Sequence, residues 1–163
     1  MSSDNRNENG PFQSLSSCMS ASRILLLKGK QKKDDVLKAL IRRIAAEEKF
    51  GSEADLEWGI MHREELMSTG IGKNIAVPHT SAEDTAEACV ALAVCPDGVP
   101  DYQGLDSQMV KLVFMIVTPR GDAGIRLKIL ASIGGLFSDG RLKAACLAST
   151  DPEKCLTIIQ RAE

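Results

Sequence analysis

His79 has the residue type and position best suited to chemistry in this sequence, because it follows Pro78 at the end of an apolar run from Ile75 to Val77. Proline has a fixed φ and no N–H, and it holds the preceding residue extended, so a strand through this run must lose its hydrogen-bond ladder there. We therefore expect His79 at a strand's end, where a side chain is both accessible and held in place.

An imidazole in that position is a candidate nucleophile. Its ordinary pKa is about 6.5, so the neutral ring is available near neutral pH and can attack a phosphoryl group to form a phosphohistidine that passes the group on. The alternative, from residue types alone, is that His79 is an ordinary loop residue.

The segment before the apolar run predicts a loop that binds phosphoryl oxygens. Ser68 and Thr69 offer hydroxyl donors, and Gly70 and Gly72 allow the backbone to approach closely. The loop lacks the Gly-Lys-Ser/Thr ending of a nucleotide P-loop and the third glycine of a dinucleotide fingerprint. Nucleotide binding is therefore disfavoured.

The residues before this loop predict a helix that carries Arg63. Residues 52–55, Ser-Glu-Ala-Asp, have the pattern of a helix start, and Leu56, Ile60 and Met67 then recur at helical spacing. Arg63 lies on the same stripe, and an inward-pointing arginine needs an anion. A guanidinium fork that holds a phosphoryl group near His79 is one interpretation. A structural ion pair or a snorkelling side chain is the other.

His62 is adjacent in sequence but turned by about 100° around the helix. We interpret His62 as structural or solvent-exposed and place it outside the site.

The pattern as a whole resembles the enzyme IIA domains of the fructose, mannitol and nitrogen-regulatory type in the bacterial phosphoenolpyruvate phosphotransferase system. The central match is Arg63-Glu64-Glu65, then residues 68–72, then residues 75–79. It extends on both sides, and only the first twenty or so residues fall outside it. The outer matching segments are Ile24-Leu25-Leu26-Leu27, the helix after Lys32, Leu105-Asp106, Val113-Phe114-Met115, Leu127-Lys128-Ile129-Leu130-Ala131 and the final helix.

By motif position, the resemblance implies that His79 is the phosphorylated histidine and Arg63 the active-site arginine. The family often has a second active-site histidine where this chain has Arg126. An arginine can donate hydrogen bonds to phosphoryl oxygens, but it cannot share a proton as a histidine can. The alternative for Arg126 is a solvated residue in the first turn of a helix. A second departure is Asn74, where the family commonly has glycine. Asparagine tolerates a positive φ, so the turn is expected to survive.

The function implied by the resemblance is that of a histidine phosphocarrier, catalytic only as part of a relay. It accepts a phosphoryl group from the phosphocarrier protein HPr and passes it to a IIB domain for sugar uptake, with no nucleotide, metal or other cofactor required. The alternative is a regulatory module of the nitrogen-regulatory type, whose phosphorylation state controls binding to other proteins. A scaffold that has lost phosphorylation is a third possibility, which the intact His79 and Arg63 disfavour.

Composition bounds the partners and the location. The net charge of −2 and the aromatic content of 4% make nucleic acid an improbable partner. No stretch approaches eighteen uninterrupted apolar residues, so no membrane insertion is expected.

Five widely spaced cysteines suggest neither a disulfide framework nor a zinc site, and they fit a reducing cytoplasm. Asp101 and Asp106 have too few companions for a calcium loop, and we interpret Asp106 as a turn or cap residue.

The chain has 163 residues, 44% of them hydrophobic, and the order of elements predicts one α/β domain. A strand at 24–27 precedes a helix, and the nearly continuous apolar runs 88–95 and 111–117 favour strands covered on both faces. Turn chemistry separates them at residues 96–101. After it, Asp122 is expected to cap a helix to about Phe137, with the inward side chains Leu127, Leu130, Ala131 and Gly134, and two more helices follow at 141–148 and from Pro152.

We therefore expect a single-domain sandwich, with a mixed sheet of about five strands and helices on both faces. The resemblance implies that the sheet has both parallel and antiparallel strands, whereas the periodicity shows only that strands and helices alternate. Residues 1–20, rich in Ser, Asn and Gly, are predicted to be a mobile tail, and residues 21–163 to form the domain.

Overall fold

A single mixed sheet organises the molecule. The computed structural model describes residues 12–83 and 85–163, and six strands in this part of the chain form one sheet in the order β1-β5-β6-β3-β2, with β4 also paired to β6. The strands are β1 Ile24–Leu26, β2 Gly70–Gly72, β3 Ile75–Ala76, β4 His79–Ala82, β5 Cys89–Gln103 and β6 Met109–Pro119. Pairs β1–β5, β3–β6 and β4–β6 are parallel, whereas β2–β3 and β5–β6 are antiparallel. The predicted mixed sheet is confirmed, with six strands for the five expected.

In the described part of the chain, five α-helices cover the two faces of the sheet, as predicted. They are α1 Lys33–Ala45, α2 Glu53–Leu66, α3 Ala123–Leu136, α4 Arg141–Leu147 and α5 Pro152–Ala162. The side chains of Ser52, Asp122 and Asp151 accept hydrogen bonds from N–H groups three residues later, which satisfies first-turn donors of α2, α3 and α5. All three of these helices begin where the sequence pattern placed them.

Alternating residues of β5 face two separate hydrophobic clusters. Val90, Leu92 and Val94 pack in one cluster with residues of α3, α4 and α5, and Ala91 and Ala93 pack in the other with residues of α1 and α2. Because the central strands are buried on both faces, their sequences read as continuous apolar runs.

Pro78 interrupts the edge of the sheet that carries His79. Strand β3 pairs with Leu112 and Val113 of β6, and β4 resumes the pairing at Ile116. Between them Pro78 cannot donate, but its carbonyl oxygen accepts from the N–H of Ile116 at 2.9 Å. The predicted loss of ladder at Pro78 is confirmed. His79, however, begins a new strand rather than only ending one, so both its neighbours are held by β6.

Two local predictions were wrong. Residues 96–101 lie within β5, where the pairing register with β6 shifts between Val94 and Val99 and Gly98 has a φ of 84°. The turn residues therefore make a bulge in one long strand. In α3 the buried side chains are Ile129 and Ile133, whereas Leu127, Ala131 and Gly134 are exposed. The apolar residues spread around this helix, so its sequence did not define which face was inward.

The packed part of the chain begins before residue 21. Leu15 is fully buried, Cys18 and Met19 are nearly so, and the main-chain N–H of Ser16 donates to the carboxyl group of Glu163 at 2.8 Å. Residues 1–11 lie outside the described residues, and the mobility predicted for residues 1–20 stays a prediction.

The five cysteines are all buried and form no disulfide. Burial raises the pKa of Cys89 and of Cys95 to about 12, so both thiols stay protonated and pack as small apolar groups. In the described part of the chain, no helix combines the length and apolar character that a membrane crossing requires.

Candidate phosphoryl-transfer site

A cleft of about 700 Å³ brings three of the predicted site residues together. It lies between α2, β4 and the start of α3, and its lining includes His79 from the first position of β4, Arg63 from the last turn of α2 and Arg126 from the first turn of α3. Residues distant in sequence thus meet at the point where the sheet edge restarts after Pro78.

His79 is half-buried and its ring orientation is fixed by the backbone. Its Nδ1 lies 2.9 Å from the carbonyl oxygen of Val77. Since a carbonyl oxygen can only accept, Nδ1 carries the proton in this contact, and in the neutral ring the lone pair resides on Nε2. Nε2 is therefore the nitrogen available for bond formation.

The surroundings of His79 favour its neutral form. Burial lowers the pKa of His79 below its ordinary value of 6.5, and the positive charges of Arg63 and Arg126 lower it further. The hydrogen bond to the carbonyl oxygen of Val77 and the charge of Glu64 oppose these effects. The ring consequently stays unprotonated, and nucleophilic, at a lower pH than an isolated histidine.

Helix α2 places Arg63 through an unusually close approach to β4. A Cβ at Gly59 would overlap the hydroxyl of Thr80, so only glycine lets the helix approach so near. One turn later, Arg63 reaches the cleft beside His79. The sequence did not reveal the role of Gly59, because Thr80 is distant in sequence and lies against Gly59 only in the folded structure.

The helical stripe predicted that Arg63 points inward, but its side chain is exposed and lines the cleft. The buried side of α2 carries Leu56, Ile60 and Glu64, and Met67, which lies beyond the helix, is 75% exposed. Among the described residues, neither Arg63 nor Arg126 lies within 4.0 Å of a carboxylate oxygen. No carboxylate of the described residues therefore competes with an anion in the cleft for the donors of these two guanidinium groups.

The structure does not bring Ser68 and Thr69 to the cleft. The hydroxyl of Thr69 is buried and donates to Glu64 at 2.8 Å, and it also contacts the hydroxyl of Tyr102. The hydroxyl of Ser68 donates to the carbonyl oxygen of Gln103 at 3.4 Å. Both hydroxyls hold the loop against the rest of the protein.

Gly70 and Gly72 also serve the geometry of the loop. A Cβ at Gly70 would overlap the carbonyl oxygen of Gln103, and Gly72 has a φ of 101°. Asn74 adopts a φ of 65°, which confirms that asparagine supports the turn here. Asp106 accepts hydrogen bonds from the N–H groups of Lys73 and Gln108, both at 3.0 Å, and so is the turn residue that the sequence indicated.

Trp58 is a cleft residue that was missed, and His62, which was placed outside the site, also lines the cleft. Trp58 is 68% exposed, and its ring stacks on His62, with ring centroids 4.7 Å apart and planes inclined by 11°. Asp55, Trp58, His62 and Leu66 all line the cleft at helical spacing. The prediction that His62 is exposed holds, but its side chain lies in the cleft, and this spacing was the signal that could have shown it.

Comparisons with known proteins agree with this architecture. The family described as "Phosphoenolpyruvate-dependent sugar phosphotransferase system, EIIA 2" matches residues 17–162. The fructose-specific EIIABC component of the phosphotransferase system from Bacillus subtilis (strain 168) is 28% identical over 131 residues, which make up 80% of this chain and 20% of that protein. The chain thus spans about a fifth of the length of this relative.

Nitrogen-regulatory proteins are similar as well. The nitrogen regulatory protein of Bradyrhizobium diazoefficiens is 30% identical over 100 residues, covering 61% of this chain and 65% of that protein. The crystal structure of the nitrogen regulatory protein IIA-Ntr from Neisseria meningitidis superimposes with a TM-score of 0.78 at 23% identity, over 89% of this chain and 98% of that one. The match over nearly the whole described sequence shows that this chain belongs to the EIIA type 2 family of the phosphoenolpyruvate-dependent sugar phosphotransferase system.

Proposed function

We propose that this chain is a histidine phosphocarrier that accepts a phosphoryl group on Nε2 of His79 from an HPr-like phosphocarrier and passes it to a IIB domain. The new bond joins Nε2 to phosphorus while the bond between phosphorus and the donor's histidine nitrogen breaks, and the electron pair of that bond returns to the donor ring. The observation that carries the proposal is the Nδ1 contact of His79 with Val77, which leaves Nε2 as the nucleophile inside a cleft that holds two guanidinium groups.

Arg63 and Arg126 are proposed to bind the phosphoryl oxygens. Each guanidinium offers a planar set of donors that matches an oxyanion, and together they offset the negative charge that the cleft receives. The phosphoryl contacts predicted for Ser68, Thr69, Gly70 and Gly72 are left out of this proposal, because the hydrogen bonds and backbone geometry of these residues serve the loop itself.

Incubation with phosphoenolpyruvate, enzyme I and HPr tests the proposal. We expect one acid-labile phosphoryl group per chain in the wild type, none in His79→Ala, and the wild-type amount in the matched control His62→Ala, which removes the other histidine of the chain. Full labelling of folded His79→Ala would overturn the assignment of the nucleophile.

A regulatory role is the second candidate, favoured by Arg126 and by the similarity to nitrogen regulatory proteins. An arginine stabilises a phosphoryl group without sharing a proton, which suits a phosphorylated state that persists and is read by a partner. Mixing labelled protein with purified IIB domains separates the two roles. Stoichiometric loss of label supports transport, whereas stable label combined with phosphorylation-dependent partner binding supports regulation.

A further inference from the structure

A buried carboxyl group lies directly behind the cleft. Glu64 follows Arg63 in α2 but points to the other side of the helix, into line with Leu56 and Ile60, and only 5% of its side chain is exposed. It does not line the cleft, so it cannot touch a phosphoryl group on His79. Placing a carboxyl group there costs desolvation energy, which calls for a physical account.

Several donors converge on one oxygen of this carboxyl group. Oε1 accepts from the hydroxyl of Tyr102 at 2.6 Å and from the hydroxyl of Thr69 at 2.8 Å. The main-chain N–H of Thr69 also donates to it at 3.4 Å, and the Nζ of Lys33 lies 3.5 Å away. Burial raises the pKa of Tyr102, as does the charge of Glu64, so the tyrosine keeps its proton and acts as a donor. The nitrogen of Lys33 also stands 4.4 Å from the centre of the Tyr102 ring. The carboxyl group thereby joins α1, α2, β5 and the segment that leads into β2.

From Thr69 the hydrogen bonds continue to the nucleophile. The carbonyl oxygen of Thr69 accepts from the N–H of Val77 at 3.0 Å, and the carbonyl oxygen of Val77 is the partner of Nδ1 of His79 at 2.9 Å. Glu64 is therefore connected to His79 by three successive links. It is also the neighbour of Arg63 on the same helical turn, so one buried anchor holds both the arginine and the histidine segment.

The second oxygen of the carboxyl group indicates that stability alone does not explain this arrangement. Oε2 of Glu64 is buried and has no hydrogen-bond partner within the described residues. A buried polar atom without a partner destabilises the folded state, and well-packed apolar replacements of buried charges are often neutral or stabilising. The network retains a destabilising group at the place where the cleft residues must be aligned.

We propose that Glu64 is a positioning residue for the phosphoryl acceptor: through Thr69 and Val77 it holds His79 with Nδ1 protonated and Nε2 directed to the cleft beside Arg63. This inference rests on the proposed function for its kinetic consequence, but the orientation of the ring is a property of the free protein. Removing the Thr69 hydroxyl takes away the shorter of the two contacts between Thr69 and Glu64, and Glu64→Leu takes away both. We expect either change to loosen the imidazole, whereas removing the tyrosine hydroxyl leaves both contacts in place.

The test compares Thr69→Val and Glu64→Leu with the matched control Tyr102→Phe. Nitrogen chemical shifts of His79 by NMR report its tautomer, and phosphorylation by phospho-HPr is separated into kcat and KM. For Thr69→Val and Glu64→Leu we expect a mixture of tautomers and a kcat lowered on the order of tenfold or more, since small misplacements of reacting groups have effects of this size. KM should not change, because neither side chain lines the cleft. Tyr102→Phe should keep the single tautomer and most of kcat.

A single Nδ1–H tautomer with unchanged kcat in folded Thr69→Val would overturn the inference. So would an equal loss of kcat in all three variants with the tautomer unchanged, since this is the pattern of a merely structural network. If Glu64→Leu fails to fold, Thr69→Val, which removes one hydroxyl at nearly constant shape, still decides the matter. The NMR measurement needs no phosphoryl donor, so it remains decisive even if His79 is never phosphorylated and the proposed function fails.

Discussion

At the scale of single residues, Arg126 changes the electrostatics of the cleft as well as its hydrogen bonding. Its guanidinium cannot lose a proton, so it lowers the pKa of His79 at every physiological pH. A histidine in its place would exert this effect only when protonated. Arg126 therefore favours the neutral form of the His79 ring, whereas a histidine at this position could also exchange protons.

This leads to a prediction about pH dependence. As the pH is lowered, the phosphorylation rate of the wild type should begin to fall only below pH 6.5, the ordinary pKa of histidine, because protonation of His79 is disfavoured. This fall is the acid limb of the pH profile. In Arg126→Gln a positive charge is removed, the pKa of His79 rises, and the acid limb moves to higher pH. An NMR titration of the His79 ring measures the same shift directly.

The matched control is Arg120→Gln. Arg120 also lines the cleft, but its charge is paired with the carboxylate of Glu83, so we expect little change in the titration of His79.

The pH dependence of stability is a second measurement of the same effect. Because the pKa of His79 is lower in the folded state than in the unfolded state, the free energy of unfolding falls as the pH decreases from about 6.5 to the lowered pKa. Arg126→Gln should narrow the pH range over which this loss occurs. Identical titration curves for the wild type and Arg126→Gln would contradict the electrostatic account.

Residue types and spacing selected His79 and Arg63, the resemblance added Arg126, and the fold brings all three to one cleft. Residue types and spacing were not sufficient for Thr69. Its hydroxyl looked available beside two glycines, but Tyr102, 33 residues later in the chain, occupies it. Which hydroxyls remain free is decided by tertiary contacts, and these are absent from a local pattern.

At the scale of elements, the contact between α2 and β4 determines how far Arg63 stands from His79. Glycine in a helix interior costs about 1 kcal/mol relative to alanine, and Gly59 accepts this cost in the middle of α2. In return the helix backbone can lie against Thr80, the neighbour of His79. The close approach is therefore a feature of the site and not only of the core.

We predict that Gly59→Ala destabilises the protein by about 1–3 kcal/mol despite the better helix propensity of alanine, because the new methyl group overlaps the hydroxyl of Thr80. Phosphorylation of His79 should slow as α2 moves outward. Denaturant unfolding and single-turnover labelling measure the two effects, and adding Thr80→Ala should restore most of both.

Gly134→Ala is the matched control for this substitution. A Cβ at Gly134, within α3, would meet nothing within 4 Å, so the same chemical change should stabilise the protein by about 1 kcal/mol and leave labelling unaffected. A stabilising effect of Gly59→Ala would show that α2 can move away from β4 without cost.

The elements and the starts of α2, α3 and α5 were mostly predictable, but the buried face of α3 and the bulge in β5 were not. Helix starts carry explicit signals such as Ser52 and Asp151, whose side chains accept from the first turn. The inward face of α3 carries no such signal, because apolar residues surround the helix and only docking on the sheet selects Ile129 and Ile133. The bulge at Gly98 was misread as a turn for a related reason, since the same residue types serve both structures.

At the scale of the whole molecule, the sheet separates two hydrophobic clusters, and within residues 12–83 and 85–163 one of them includes residues before β1. Leu15 packs in the cluster that contains Ile24 and residues of α5, such as Cys155 and Ile159. The composition of the first twenty residues is polar, which favoured a tail over all of them. A single buried leucine has little weight in such an average, yet it places this segment in the hydrophobic core.

Leu15→Ala measures where the folded domain begins. A fully buried leucine exchanged for alanine loses its transfer energy and leaves a cavity, so we expect the free energy of unfolding to fall by about 2–5 kcal/mol. Leu105→Ala makes the same chemical change at a side chain that is 87% exposed, and should alter the free energy by less than about 0.5 kcal/mol. Urea unfolding of both variants gives the comparison. Equal, small effects would mean that the segment around Leu15 is peripheral and that the domain begins near residue 21, whereas a large and selective loss at Leu15 assigns this segment to the domain.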